Sequence, residues 1–232
     1  MNKIHFNIKS IYFSNFSTQV KRKEAISFLL VLIAVDMLFV TLHVAKEIFP
    51  IISEDLFSIT KDQALPEIYQ YLKLAAIVLF LLMLSRNLED RAYMSWAILF
   101  AYLFIDDAFS VHENLGFMIS DRFQMLSPFG IRPQDYGELV VTAFFSGILL
   151  SIICFFFVKG SGIFQEISMA LGILLVFLGF FGVVVDMLVM VQNFGAKGDF
   201  LFSMLEDGGE MVVVSFILYY TFALQNKEFF NK

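Results

Sequence analysis

Six apolar stretches, at about 25–45, 67–85, 92–112, 137–158, 163–191 and 206–225, fill most of this 232-residue chain. Each comes close to the 20 or so residues that a helix needs to cross a hydrocarbon core roughly 30 Å thick. Inside lipid every backbone N–H and C=O must be satisfied within the protein, which leaves only helices and closed barrels. The period-two alternation of barrel strands is absent, so the expected fold is all-α, a polytopic transmembrane helix bundle of six spans. The hydrophobic share of 59%, above the 45–50% or so of soluble domains, agrees.

One membrane domain over 25–232 is expected, preceded by an amino-terminal segment over 1–24 that mixes Phe, Ile and Tyr with Lys and Asn. That segment reads either as an interfacial helix on the inner leaflet or as a disordered tail. The first span has no convincing cleavage site after it, so it is not expected to be a removable signal. A net charge of −6 and the lack of a basic, aromatic-interleaved stripe argue against nucleic acid as a partner. The single cysteine, Cys154, excludes an internal disulfide.

Lys and Arg fix the expected orientation. Lys3, Lys9, Lys21, Arg22, Lys23, Arg86, Arg91, Lys159, Lys227 and Lys232 fall on one side, against Lys46, Lys61, Arg122, Arg132 and Lys197 on the other. The bias places both termini in the cytoplasm.

Three spans break into acid, and with this topology the breaks meet at the outer face. The first span carries Asp36, His43 and Glu47; the third runs into Asp106, Asp107, Ser110, His112 and Glu113; the last opens on Glu206, Asp207 and Glu210. Glu138 starts the fourth span, and Asp186 reaches a similar depth in the fifth. Acids at helix ends are commonly solvated, and that is the expectation for Glu47, Glu54, Asp55, Asp62, Asp121 and Asp199. Length argues otherwise for the main cluster. The uninterrupted runs Ala92–Ile105 and Met211–Leu224 hold only 14 residues each, about 21 Å of helix. Completing a span pulls Asp106, Asp107, Glu206, Asp207 and Glu210 below the surface. Ionisable groups there cost roughly 2.5–3.5 kcal/mol each on insertion scales and mark functional sites by default.

Spacing predicts which groups converge. Glu206, Asp207 and Glu210 share one side of a helix, as do Asp106, Ser110 and Glu113, and Asp36, His43 and Glu47. On a regular helix His112 is turned about 140° from Asp107, so either the helix loosens there or His112 serves another wall.

Carboxylates this dense need protons or a cation. The first expectation is a divalent-metal site (Zn, Mn, Fe or Mg) with Asp107, His112, Glu113, Glu138, Glu206 and Glu210 as ligands. It would support membrane-embedded chemistry on a lipid or small molecule, with Glu113, Glu138 and Asp207 in catalytic roles. The second is a proton- or cation-coupled transporter or channel with a path through Asp36, His43 and Asp186. Against that path, Lys73 lies at the depth of Asp36, so the two are expected to lock helices together as an ion pair. A haem held by His43 and His112 and a non-catalytic subunit or assembly factor are further alternatives. Walker, Rossmann and Ser-His-Asp signatures are absent.

The segment from Leu56 to Pro66, the Asp106-Asp107-x4-His112-Glu113 motif and the Glu206-Asp207-x-x-Glu210-Met211 motif resemble an uncharacterised family of bacterial multi-pass membrane proteins. Its corresponding patterns read Leu-Phe followed by an acid and Pro, then Asp-Glu-x4-His-Glu, then Glu-Glu-x-x-Glu. Asp107 and Asp207 stand here for Glu, and Thr60 stands where an acid is expected. The resemblance, over about Leu56 to Met211, implies a bacterial inner (plasma) membrane protein in which the His-Glu and Glu-Asp-x-x-Glu residues form one site. It implies no particular activity.

Overall fold

The computed structural model describes residues 22–48, 55–126, 132–191 and 195–225. Most of the amino-terminal segment, Glu54, Lys227, Lys232 and the side chain of Glu47 lie outside the described residues. The described residues are helical throughout their ordered elements, with no strand among them. In chain order these are α1 (Arg22–Ile48), a 3-10 turn (Asp55–Phe57), α2 (Leu65–Asn87), α3 (Tyr93–Phe109) and α4 (Val111–Phe123). Next come α5 (Pro133–Lys159), α6 (Gly162–Gly179), a π-helical segment (Phe180–Val185), α7 (Asp186–Val191) and α8 (Gly195–Ala223).

The helix starts obey ordinary local chemistry. Pro66 and Pro133 sit in the first turns of α2 and α5, where a missing N–H costs nothing. Ser161 caps α6 by accepting from the Phe164 N–H at 3.2 Å. Among the described residues four stretches are long and apolar enough to cross a membrane: Glu24–Lys46, Leu65–Asn87, Pro133–Lys159 and Gly162–Leu188. The bent pair α3 and α4 makes a fifth when taken as one span. Large apolar side chains on the outer faces, such as Leu72 (66% exposed) and Val158 (78%), are left largely uncovered, as lipid-facing positions should be.

Two expected boundaries change. The third span is not one regular helix: Ser110 takes a left-handed conformation (φ 46°, ψ 48°), and α4 leaves α3 at 71°. The shared stripe expected for Asp106, Ser110 and Glu113 therefore does not hold. The last helix begins at Gly195, 11 residues before Glu206, so its acids lie mid-helix rather than at its start. Those acids also interrupt its apolar run, which leaves α8 outside the set of plainly membrane-crossing helices.

The core lies where α2, α3, α6 and α8 meet, around Leu74, Ile77, Trp96, Phe100, Phe164 and Ile217. Trp96 Nε1 donates to Ser168 Oγ at 2.9 Å, joining α3 to α6 without leaving a buried donor unpaired. Helices α4 and α5 approach most closely at Gly116 and Gly137. A Cβ on Gly137 would fall on the Gly116 carbonyl, and one on Gly116 on the backbone and side chain of Glu138. Gly137→Val is therefore expected to destabilise the bundle by about 1–3 kcal/mol, read as a lower Tm in detergent. Gly147→Val on the same helix, where a Cβ meets nothing, should leave Tm unchanged.

Candidate functional site

The break at Ser110 builds the first element of the site. A helix that restarts has unsatisfied N–H groups at its first turn, and the Asp106 carboxylate at the end of α3 reaches across to supply an acceptor. Its Oδ1 accepts the His112 backbone N–H at 2.8 Å, and its Oδ2 lies 2.9 Å from His112 Nδ1. Asp106 is buried, whereas the His112 side chain is 30% exposed. With Nδ1–H donated to Asp106, the neutral ring keeps its lone pair on Nε2. The bend thus resolves the orientation of His112 left open by the spacing.

The π-helical segment builds the second element. Gly182 lies in it, and a Cβ there would fall on the Glu210 carboxylate; a Cβ on Gly209 would fall on the Phe181 ring. The two glycines let α8 lie against the π segment with Glu210 between them. Segments with π geometry are frequent at functional sites because the extra residue re-aims the succeeding turn, and here that turn begins with Asp186.

The start of α5 adds Asp135, 2% exposed, which accepts from Arg132 Nε at 3.0 Å and Nη2 at 2.8 Å. The bidentate carboxylate raises the Arg132 pKa above its ordinary value. Glu138, one turn further in, accepts from Gln134 Nε2 at 2.8 Å.

These elements enclose two cavities. The inner one, of about 330 Å³, runs between α3, α5 and α6. Its apolar end is formed by side chains such as Leu99, Leu103, Leu149 and Leu178. Its other end holds Asp106, Asp107, Asp135, Glu138, Asp186 and Glu210. The outer cavity, of about 170 Å³, is lined by Asp62, Glu67, Gln70, Glu113 and Asp207 among others. Asp107, His112 and Glu210 line both. They form the partition between an amphipathic chamber and a polar vestibule.

The expected ligand set is thereby divided. Glu138 and Asp186 face the inner cavity, Glu113 and Asp207 the outer one, and Glu206 lines neither. Among the described residues no group of three or more His, Cys, Asp or Glu could hold a metal ion. The arrangement does not support the expected metal centre.

His43 lines neither cavity. The Ile59 N–H donates to its Nδ1 at 3.4 Å, Ser58 Oγ lies 3.3 Å from the same atom, and the ring stacks on Phe200 at 5.2 Å. It fastens the loop after α1 to the bundle. Asp36 and Lys73 form the ion pair that their depth predicted, at 3.0 Å and with 0% and 2% side-chain exposure. Lys73 Nζ also donates to the Met211 carbonyl at 2.8 Å and to Ser215 Oγ at 3.2 Å, while Ser215 Oγ donates to Asp36 Oδ2 at 2.6 Å.

Three residues that line these cavities, Asp135 in the inner one and Glu67 and Gln70 in the outer one, were not singled out in the sequence. Asp135 comes two residues after Pro133, whose preference for a first turn signals an earlier start to the fourth span. Glu67 accepts hydrogen bonds from the Tyr71 hydroxyl and the Gln63 N–H, and its i, i+4 spacing to Tyr71 was a readable signal. Gln70 gave none. Asp62, expected to be a solvated loop acid, is exposed and lines the outer cavity.

A family model described as Domain of unknown function (DUF8692) matches residues 25–224. No curated protein matches the chain, and no solved structure does.

The buried network yields a mutational expectation. Lys73→Met alone strands Asp36 and should cost about 3–5 kcal/mol, while adding Asp36→Leu should recover most of that loss. Thermal unfolding of the two variants in detergent, beside the parent, checks both.

Proposed function

The chain belongs to the family described as Domain of unknown function (DUF8692), and from the geometry of its acidic chamber we propose that it is a membrane-embedded cation carrier. The observation that supports this is an uncompensated charge. Three of the chamber's acids have fixed partners, Asp106 in His112, Asp135 in Arg132 and Glu138 in Gln134. Asp107, Asp186 and Glu210 make no direct ion pair or side-chain hydrogen bond among the described residues, and the positive groups that act on Asp107 and Asp186, His112 and Arg132, are already held by Asp106 and Asp135. Carboxylates partly withdrawn from water without a direct partner are costly, and a proton or a bound cation removes that cost.

In this reading the chain crosses a bacterial inner membrane six times. The broken pair α3 and α4 forms one span and α8 the sixth, with both termini in the cytoplasm and the acidic end of the bundle facing outward. The Lys and Arg bias supports that orientation. The Asp36–Lys73 pair, compensated internally, serves as a structural lock and not as part of the cation path.

A second reading is favoured by the Asp106–His112 pair. A carboxylate that orients an imidazole through Nδ1 prepares Nε2 to bind a metal or move a proton. The chain would then be a metal-dependent enzyme acting on a lipid-like substrate, with a divalent ion held near Asp107, His112 and Glu210. The division of the other carboxylates between two cavities weighs against it.

Solid-supported-membrane recordings on proteoliposomes separate the two. Steps of Na⁺, K⁺ or an alkylammonium salt should evoke transient currents that Glu210→Gln reduces about tenfold or more, since the charge on the partition is lost. Currents no larger than those of empty liposomes sink the carrier reading. A near-stoichiometric divalent metal that purifies with the parent but not with Glu210→Gln would put the enzyme reading in its place.

A further inference from the structure

The inner cavity has a polarity that selects more than charge. Three of its walls change from apolar to acidic toward the same end. On α3 the change runs from Leu99 and Leu103 to Asp106 and Asp107. On α5 it runs from Leu149 and Leu150 back to Glu138 and Asp135, and along α6 and the π segment from Leu175 and Leu178 to Asp186. A hydrated inorganic ion has no use for the apolar end. An alkyl chain does, and a volume of about 330 Å³ lies in the range of small-molecule sites.

The outer cavity specifies the head group. Gln70 is 8% exposed and lines this vestibule, and its buried Oε1 has no hydrogen-bond partner. A buried carbonyl without a donor is costly, and its neighbours Asp107, Asp207 and Glu210 are acids that supply acceptors. A ligand that satisfies such a set must bring N–H donors together with positive charge. A quaternary ammonium brings charge alone; a primary ammonium brings three donors.

We infer that the two cavities form one site for a single-chain primary alkylamine. The ammonium sits at the partition of Asp107, His112 and Glu210 facing Gln70, and the alkyl chain lies along the leucine-lined end between α3, α5 and α6. The inference rests on the cation reading above and gives it a substrate class. No bond is made or broken in this binding step.

Equilibrium dialysis against the full chain in lipid nanodiscs, with empty nanodiscs of the same lipid as background, tests it. Decylamine, protonated at neutral pH, should bind saturably at one per chain. Decyltrimethylammonium should bind about tenfold more weakly, and decanol and decyl sulfate should not rise above background. Asp107→Asn and Glu210→Gln, each neutral and nearly isosteric, should weaken decylamine about tenfold or more, with an unchanged Tm showing that the bundle is intact. Leu178→Trp, which fills the apolar end, should abolish decylamine binding while sparing butylamine.

Equal binding of decyl sulfate or decanol, or indifference to both carboxylate variants, overturns the inference. So does decyltrimethylammonium binding as tightly as decylamine, since the donors would then play no part. If decylamine fails while Na⁺ or K⁺ steps still evoke Glu210-dependent currents, the substrate class falls and the cation carrier stands. If decylamine binds but no step evokes current, the site stands and carriage falls.

Discussion

The charge that this bundle neutralises for itself is the one on which its geometry depends. Lys73 is buried where an unpaired ammonium would be very costly. It is satisfied by Asp36 on α1, by Ser215 on α8 and by the Met211 carbonyl, also on α8. Three helices are thus tied at one level. The bond to Met211 matters beyond its energy, because the neighbouring residue is Glu210. Holding the Met211 carbonyl fixes the rotation and depth of α8, and so the wall of the chamber from which Glu210 projects. His43 adds a fastening nearer the end of α1, through Ser58 and Ile59, that positions the loop leading to the vestibule.

Above that lock, the acids are brought together by departures from regular helix. The left-handed Ser110 swings α4 away from α3 so that His112 lands on Asp106. The crossing at Gly116 and Gly137 then sets α5 close enough for Glu138 to face the same space. On the opposite wall the π segment and the Gly182 and Gly209 contacts bring Glu210 beside Asp186. Each device removes bulk or regularity at a place where another helix supplies a carboxylate. Such local exceptions are what functional sites impose on otherwise regular frames.

The regular parts were legible; of the exceptions only a loosening near His112 was foreseen, as one of two options. Continuous apolar runs of span length can only be helices in lipid, so the all-helical class was readable from sequence. Shared depth was enough to pair Asp36 with Lys73. Phe109-Ser110-Val111 contains no proline or glycine, and nothing local announces a left-handed residue there; the break depends on Asp106 capping the new helix from the previous one. Nor does hydropathy reveal that α8 begins at Gly195, because Lys197, Gly198 and Asp199 lower the local average while the backbone stays helical. The expected metal ligands were assigned by a common membrane face and by spacing within each helix, which fix depth and a shared stripe but not the azimuth at which neighbouring helices are turned toward one another. Azimuth is what separates Glu138 from Glu113 and leaves Glu206 outside both cavities.

Depth and azimuth together explain why the chamber differs from the lock beneath it. Asp36 is fully buried and faces a lysine and a serine on neighbouring helices, while Asp107 and Glu210 are half-buried and line open space. A fold that needed only to stabilise itself could have closed that space with leucine, as it does one turn away at Leu103 and across the chamber at Leu139. Replacing buried charges by well-packed apolar residues is commonly neutral or favourable for stability. Retaining acids around an open volume is therefore a cost to the fold, which protons or a cation entering from outside would offset. The unsatisfied Gln70 carbonyl makes the same demand in the form of hydrogen bonds. The lock and the chamber are then two answers to one problem of buried charge, the first completed by the chain and the second, in the proposed reading, by a ligand.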